Sequence, residues 1–442
     1  MSLGRADARS LIRSWYASGI SAVEPRDAVR RHLSVRRDHL QVGGRSLAIP
    51  DHGLVLVAIG KAAVAMALGA DDVLGRYIRD GIILTKDGHA EHAPSRMRVF
   101  EAAHPVPDER GVAASAAILE TVNGLAQEDI VLTLLSGGGS ALFEAPRDPL
   151  TLAEVQETTT LLLRAGAPIQ DLNAVRSPLS FVKGGGFRHR IGAANCVSLI
   201  LSDVLGNDPA VIASGPTIRT TPDPSRALAL LDRYGVRTQV PRGVIDLLER
   251  QKDAREAAID VSPADVFEII ADNDVFVDGV AEAAGESHVA ASAWRHREGE
   301  ARELGQRFVA DLGDVPDTVH VVLGGGEATV TVRGDGKGGR NTEFALAAAI
   351  ELDRNRADWV VASLASDGQD GSIDGAGAIA DNGTVERAAR MGLDASAYLE
   401  RNDSGTFFEK LGDLVVPGPT GTNVNDVYIA VRATSFPGDA DG

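Results

Sequence analysis

The most informative part of the sequence is Leu132-Thr-Leu-Leu-Ser136-Gly137-Gly138-Gly139-Ser140-Ala-Leu-Phe143. An apolar run from Ile130 to Leu135 here meets a serine, three glycines and a second serine. The run is typical of a buried parallel strand, and the glycines are typical of the turn at its carboxyl end. Three consecutive glycines weaken a helix or a strand, but they let backbone N–H groups approach an anion closely. The triplet alone is equally consistent with an ordinary strand-to-helix turn, so its meaning depends on whether the chain repeats it.

Other apolar runs in the first half of the chain end in similar turns. Strands are predicted at 54–59, 81–85, 97–102 and 197–202, and helices are predicted between them. The turns after three of these strands contain Gly60-Lys61, His104 and Asp203. This alternation predicts a Rossmann-like, doubly wound and mostly parallel sheet with helices on both faces. Ligands of such sheets bind at the carboxyl ends of the strands, where these turns lie.

The rest of the chain predicts a second α/β domain. A length of 442 residues exceeds one ordinary core, so two domains are expected. The pattern weakens from Thr220 to Pro263, which places the N-terminal domain at 1–240, an inter-domain region at 241–262 and the C-terminal domain at 263–442. Helices are predicted at 6–20 and 24–39 before the first sheet. The strands predicted in the second domain lie at 266–271, 318–323, 328–332, 359–363 and 427–431.

Composition restricts the class of protein. The chain is 44% hydrophobic and 24% charged, which is typical of a soluble globular protein, and it has no apolar run long enough to span a bilayer. The charged N-terminus and the single cysteine, Cys196, favour a cytoplasmic location and no membrane partner. A net charge of −18 disfavours nonspecific nucleic-acid binding. The chain has only six lysines, so the position of each lysine is informative.

Lys61 is the first candidate for an anion-binding side chain. It follows a predicted strand, lies beside Gly60 and opens a predicted helix. A standard phosphate loop is absent, because Ala62 replaces the Ser or Thr that would hold magnesium. A lysine at a helix N-terminus opposes the helix dipole, so a bound anion explains it better than the fold does. The alternative is a solvated lysine.

Arg340 is the second candidate. Before it, Gly334, Gly336 and Gly339 formally match the dinucleotide pattern G-x-G-x-x-G. Lys337 and Arg340 indicate a more strongly charged ligand, since a guanidinium group can grip a phosphoryl group or a carboxylate with two hydrogen bonds. Arg340 could equally pair with a surface carboxylate.

Several aspartates follow predicted strands. Asp203 and Asp208 form one pair, and Asp367 and Asp370 lie in a glycine-rich loop. Gln369 and the spacing do not fit an EF-hand, but Mg²⁺ held together with nucleotide phosphates needs only one or two carboxylates. Each aspartate could instead cap a helix or stabilise a turn. Cations, glycine turns and carboxylates together are the residue types that phosphoryl transfer requires.

These stretches resemble the glycerate 2-kinase family, whose C-terminal half is called MOFRL, over nearly the whole chain. The resemblance implies ATP-dependent phosphorylation of the 2-hydroxyl of D-glycerate with Mg²⁺ or another divalent cation, in a cleft between the two lobes. The motifs that carry it are Gly60-Lys61-Ala62, His104-Pro-Val-Pro107, Leu135-Ser-Gly-Gly-Gly-Ser140, Leu172-Asn-Ala-Val-Arg176, Lys183-Gly-Gly-Gly186, Leu201-Ser-Asp203-Val, Ile212-Ala-Ser-Gly-Pro-Thr217, Gly325-Gly-Glu327-Ala-Thr-Val330, Gly338-Gly-Arg340-Asn341, Asp367-Gly-Gln-Asp370-Gly371 and Gly418-Pro-Thr-Gly-Thr-Asn423-Val-Asn425-Asp426.

The resemblance also implies roles for individual residues. The essential lysine and arginine of the family fall on Lys61 and Arg340, and we expect Asp203 to be catalytic with them. Substrate or phosphate contacts are expected from Ser136, Gly137, Gly138, Gly139, Ser140, His104, Arg176, Lys183, Glu327, Asn341 and Asn423. Metal ligands are expected among Asp203, Asp367 and Asp370.

Two departures and two alternatives remain open. Ser177-Pro178 replaces basic residues that the family usually has, and the Asp367 loop differs from the commoner pattern, so the acceptor could be a related hydroxy acid. The formal dinucleotide pattern suggests a hydroxypyruvate reductase that uses NAD(P)H. A protein that binds small anions without catalysis is the other alternative. The expected partners are small molecules, and the sequence leaves open whether the chain forms a homodimer.

Overall fold

A computed structural model describes residues 3–253, 264–285 and 289–433 of the chain. The chain forms two compact units. We call residues 25–270 the central unit, and we call residues 1–24 together with 271–442 the terminal unit. The predicted position of the active site in a cleft between two lobes stays a prediction.

The chain alternates between helices and strands along most of its length. The helices are α1 (Arg5–Ala22), α2 (Pro25–His32), α3 (Ala63–Leu74), α4 (Glu109–Thr121), α5 (Gly139–Leu142), α6 (Leu152–Arg164), α7 (Ile169–Arg176), α8 (Gly186–Ile191), α9 (Pro224–Arg233), α10 (Arg242–Asp253), α11 (Asn273–Ala284), α12 (Ala301–Leu312), α13 (Arg340–Asn355), α14 (Thr384–Arg390), α15 (Ala395–Glu400) and α16 (Ser404–Leu411). The strands are β1 (Ser34–Arg36), β2 (His39–Val42), β3 (Arg45–Ala48), β4 (Leu54–Ile59), β5 (Ile78–Lys86), β6 (Arg98–Ala102), β7 (Ile130–Leu135), β8 (Asn195–Leu201), β9 (Val266–Ala271), β10 (Val289–Glu300), β11 (Val321–Thr329), β12 (Trp359–Ala365), β13 (Gly377–Asp381), β14 (Leu414–Val415) and β15 (Asp426–Arg432). No helix in the described ranges is both long and apolar enough to cross a bilayer.

The central unit contains the predicted parallel sheet. Its strand order is β6-β5-β4-β7-β8-β9, and the pairs from β6 to β8 are parallel. Every residue of β4 and of β7 is buried, because these strands lie inside the sheet and are covered on both faces. The prediction of a doubly wound sheet is therefore confirmed. The turns after β4 and β7 lie side by side at the carboxyl edge, because Leu56 pairs with Leu132 in parallel register.

The segment before this sheet differs from the prediction. The helix expected over 24–39 ends at His32, and a small antiparallel sheet of β1, β2 and β3 follows. Arg37 and Asp38 have φ values of 49° and 60°, which no helix permits and which form the turn between β1 and β2. The prediction of a helix over 24–39 was wrong, because it followed the arginine-rich composition and missed the turn at Arg37 and Asp38.

The terminal unit contains a mixed sheet. Its order is β10-β11-β15-β12-β13-β14, in which β10 and β11 are parallel and the other neighbours are antiparallel. The two strands predicted at 318–323 and 328–332 are one strand, β11. The strands β10 and β13 were not predicted. Helix α13 packs on this sheet through its many buried alanines, and its first residue is Arg340.

The first helix belongs to the terminal unit. On α1, Arg9 forms ion pairs of 2.6 Å with Asp381 and 2.7 Å with Asp413. Tyr16 of α1 donates a hydrogen bond of 2.7 Å to the carbonyl of Ala365. The expected limits at 240 and 263 therefore differ from those of the compact units. As limits of independently folding domains they stay a prediction.

Candidate active site

The turns after β4 and β7 are joined by hydrogen bonds. The Lys61 N–H donates to the Gly137 carbonyl at 2.9 Å, and the Ala62 N–H donates to Ser136 Oγ at 3.1 Å. Ser136 is buried, and its own N–H donates to Ile59 at 3.0 Å. The Ser136 side chain thus fixes the two turns to each other, and its hydroxyl is not presented to a ligand.

Three of the predicted site residues converge on the glycine turn. Gly138 has a φ of +85°, and a Cβ atom there would lie 3.2 Å from Lys61 Cγ and 3.1 Å from His104 Cδ2. A Cβ atom on Gly137 would lie 3.0 Å from the carboxyl carbon of Asp203. Only glycine therefore allows these side chains to approach the turn so closely.

The backbone N–H groups of this turn differ in their partners. Within the described ranges, the N–H groups of Gly137 and Gly138 donate to no acceptor. Gly139 begins α5 and is closed in, because a Cβ atom there would lie 2.8 Å from Ala213 Cβ. Ser140 Oγ is 2.8 Å from Ser214 Oγ. The amides of Gly137 and Gly138 are accordingly the strongest backbone candidates for a phosphoryl oxygen.

Burial and the lysine charge set the electrostatics of this cluster. Burial raises the pKa of Asp203 above its ordinary value, and the Lys61 ammonium group opposes part of that rise. Burial, together with the charges of Lys61 and Lys86, lowers the pKa of His104. The cluster therefore combines the Lys61 side chain with an imidazole that is protonated less readily than an exposed histidine and a carboxylate that is a stronger base than an exposed aspartate.

Arg176 and Lys183 donate hydrogen bonds to the backbone that follows the glycine turn. The Lys183 ammonium donates to the carbonyls of Ser140 at 2.7 Å and Phe143 at 3.1 Å, and Arg176 Nη2 donates to Ser140 at 2.9 Å. Glu144, which the sequence analysis did not single out, lies 3.4 Å from the Lys183 amine and is buried with it. Burial lowers the pKa of Lys183 to about 8. Both cations already donate hydrogen bonds to backbone carbonyls, so they are poor candidates for direct contact with a substrate carboxylate.

In the terminal unit, Arg340 is held by a buried carboxylate. Its Nε and Nη2 atoms donate to Asp426 at 2.6 Å and 3.0 Å, and its Nη1 atom reaches Glu327 at 3.5 Å. The Asp426 side chain is 0% exposed, whereas that of Arg340 is 29% exposed. Arg340 also lines a cavity of about 730 Å³ in this unit. Asp426 has no predicted role, because its importance comes from burial beside Arg340, which no local pattern shows.

Asp370 and Asn341 serve the start of α13. The Asp370 carboxylate accepts hydrogen bonds of 2.8 Å from the N–H groups of Asn341 and Thr342 and from Thr342 Oγ1. Burial raises the pKa of Asp370 to about 6. Asn341 is buried, donates to Asp426 at 3.0 Å and accepts from Ser363 at 2.5 Å. Asp370 therefore acts as a helix-capping acceptor, and the contacts of Asn341 are internal.

The remaining predicted residues are more accessible. Asp367 is half-buried, lines the terminal-unit cavity and accepts a hydrogen bond of 2.9 Å from the Gln369 N–H. Asn423 is half-buried and accepts from the Asn425 N–H at 3.3 Å. No cluster of three or more His, Cys, Asp or Glu residues suited to a metal ion occurs in the described part of the chain.

The glycines before Arg340 accommodate the chain itself. A Cβ atom on Gly334 would lie 2.6 Å from Arg401 Cα, and one on Gly336 would lie 2.6 Å from Asp403 Cα. Their function is thus close packing against the segment that leads into α16. The formal dinucleotide pattern is explained by this packing, and it no longer argues for an oxidoreductase.

Two family models match the chain. Residues 11–249 match a domain of unknown function, DUF4147, and residues 320–426 match the MOFRL family. The chain is 40% identical to a D-glycerate 2-kinase of Thermotoga maritima, over 86% of this chain and 90% of that protein. It is 35% identical, over 97% of this chain and 95% of the relative, to an Agrobacterium vitis protein named provisionally as a hydroxypyruvate reductase. It is also similar to a crystal structure of a glycerate kinase from Thermotoga maritima, with a TM-score of 0.85 and 37% identity, covering 96% of this chain and 99% of that chain.

Proposed function

Since the chain belongs to the glycerate 2-kinase family, in which a DUF4147 domain precedes a MOFRL domain, we propose that it transfers the terminal phosphoryl group of ATP to the 2-hydroxyl of D-glycerate. The products are 2-phosphoglycerate and ADP. The observation that carries the proposal is the convergence of Lys61, His104 and Asp203 on a glycine turn in which two N–H groups donate to no acceptor among the described residues. Phosphoryl transfer depends mainly on such positioned positive charges and donors.

Lys61 and the glycine amides hold the phosphoryl group in this proposal. The lysine lies where a helix begins, a position that favours negative charge, so it needs an anion beside it. Gly138 adjoins the Lys61 side chain, and fixed amides such as those of Gly137 and Gly138 need no reorganisation when charge develops on the transferred group.

Asp203 is the proposed base for the acceptor hydroxyl. Its raised pKa makes it a stronger proton acceptor than an exposed aspartate, and the Lys61 ammonium group favours its ionised form. The alternative role for Asp203 is as a metal ligand.

The residues also allow a divalent cation. Mg²⁺ needs one or two protein carboxylates when phosphates supply the other ligands, and Asp203 and Asp367 are candidates for this role. Asp370 does not fit, because its oxygens already accept hydrogen bonds from α13. When bound, the cation would neutralise charge on the phosphate oxygens.

Arg340 is the proposed anion contact of the terminal unit. Asp426 fixes two of its donors, and the contact with half-exposed Glu327 is long enough for a substrate oxygen to replace it. Arg176 and Lys183 are reassigned from substrate contacts to positioning residues, because they hold the carbonyls that end α5.

The decisive experiment measures ADP release with D-glycerate, hydroxypyruvate and other small hydroxy acids. Nuclear magnetic resonance of the product distinguishes a phosphoryl group on the 2-hydroxyl from one on the 3-hydroxyl. NAD(P)H consumption without ADP release would instead establish the reductase. Stabilisation by a small anion without either product would establish a binding protein.

A further inference from the structure

A cavity of about 390 Å³ adjoins the glycine turn of the central unit. The segment 104–107 forms one side, helices α6 and α7 form the other, and Gly138 and Ser140 lie at its edge. This volume falls in the range of sites that bind small organic molecules. Gln156 Nε2 donates to the Pro107 carbonyl at 2.7 Å, so the two sides are connected before any ligand binds.

The walls of this cavity are apolar and open to solvent. Val106 is 62% exposed and Leu163 is 58% exposed, and both line the cavity. They are two of seven large apolar side chains exposed in the described ranges. Single exposed apolar side chains need no explanation, but two of them on opposite sides of one cavity indicate a ligand with apolar faces.

The inner end of the cavity is polar but nearly neutral. Arg176 and Glu144 both line it. Arg176 Nη2 lies 3.8 Å from Glu144 Oε2, so the two opposite charges largely cancel. Arg176 Nε and Glu144 Oε2 are buried and form no hydrogen bond within the described part of the chain. A ligand in the cavity therefore meets a polar end whose charges already pair within the protein.

We propose that this cavity binds the base and ribose of the phosphoryl-donor nucleotide. A planar base suits the apolar walls, and an uncharged ribose suits an inner end whose charges already pair within the protein. Gly138 lines the cavity and also adjoins Lys61, so a nucleotide here directs its phosphates toward the phosphoryl-holding residues. The inference rests on the proposed kinase function and adds the position of the nucleoside, which that function alone does not specify.

The test is Leu163→Glu, with Ile169→Glu as the matched control. Ile169 is 43% exposed, lies in the same unit and does not line this cavity. A carboxylate on the wall should raise the KM for ATP about tenfold or more, because it removes apolar contact with the base. It should weaken ADP binding equally in calorimetry, while tripolyphosphate binding and the KM for D-glycerate stay within about twofold. The control should match the wild type in every measurement.

Val106→Asp provides a second variant on the opposite side and should behave like Leu163→Glu. Both side chains are exposed, so circular dichroism and thermal unfolding should match the wild type. If either variant raises the KM for D-glycerate and not for ATP, the cavity belongs to the acceptor and the inference is wrong. Wild-type kinetics in both variants would also overturn it. A wild-type protein that releases no ADP would instead refute the proposed function itself.

Discussion

Asp426→Asn tests the role of the buried carboxylate most directly. The Asp426 side chain is 0% exposed and accepts hydrogen bonds from Arg340 at 2.6 Å and 3.0 Å and from Asn341 at 3.0 Å. Asparagine keeps the size but removes the charge, and it presents an NH₂ group to donors. Removing one partner of a buried pair costs about 3 to 5 kcal/mol.

The expected cost is smaller here because Arg340 is partly exposed and keeps Glu327 at 3.5 Å. Solvent and Glu327 compensate part of the loss, so we expect the free energy of unfolding to fall by about 2 kcal/mol. A guanidinium that loses its fixed orientation should also lower kcat/KM by about a hundredfold.

Urea unfolding and steady-state ADP release measure the two effects. Asp72→Asn is the control, because Asp72 pairs with Arg26 at the same 2.6 Å but is 31% exposed. That exposed pair should contribute less than about 1 kcal/mol and nothing to turnover. If Asp426→Asn loses no more stability than the control and keeps its kcat/KM, Asp426 does not position Arg340.

Three further substitutions test the central unit. Lys61→Ala should lower kcat by about a hundredfold or more with an unchanged Tm, whereas exposed Lys252→Ala should alter neither; unchanged turnover would remove Lys61 from the mechanism. Wild-type kcat/KM should fall as pH falls through the raised pKa of Asp203, since the base must be ionised, and Asp203→Asn should lack this acid limb; a limb that survives belongs to another group. Burial lowers the pKa of Lys183 from 10.5 to about 8, so the folded state disfavours its charge, and the unfolding free energy of the wild type relative to Lys183→Met should rise with pH between these values. A flat difference across that range would show that Lys183 titrates normally in the folded protein.

The central sheet could be predicted from the sequence because its signals are local. Strands such as β4 and β7 are continuous apolar runs, and each is followed by glycine at the carboxyl edge. The terminal sheet carries weaker signals. Strand β10 includes the charged sequence from Arg295 to Glu300, and its place beside β11 depends on long-range pairing. The attachment of α1 to the terminal unit likewise depends on partners almost 400 residues away, which no local pattern contains.

The candidate site divides in the same way. Lys61, Asp203 and Arg340 could be proposed because they follow strands or open helices, positions that a local pattern identifies. Glu144 and Asp426 could not, because their importance comes from burial beside cations that are distant in the sequence. Burial also distinguishes two aspartates of the same loop. Asp367 is accessible, whereas the carboxylate of Asp370 accepts hydrogen bonds from backbone N–H groups at the start of α13.

The two lysines near the glycine turn differ in the partners that the fold gives them. Lys183 is fully buried, and its donors meet the carbonyls of Ser140 and Phe143, acceptors that the fold itself supplies. Lys61 is half-buried, and its side chain adjoins Gly138, whose N–H is also a donor. An acceptor with several oxygens can accept hydrogen bonds from an ammonium group and from backbone N–H groups at once. A phosphoryl group is such an acceptor, and for this reason we propose that Lys61 and the glycine amides hold the group that the reaction transfers.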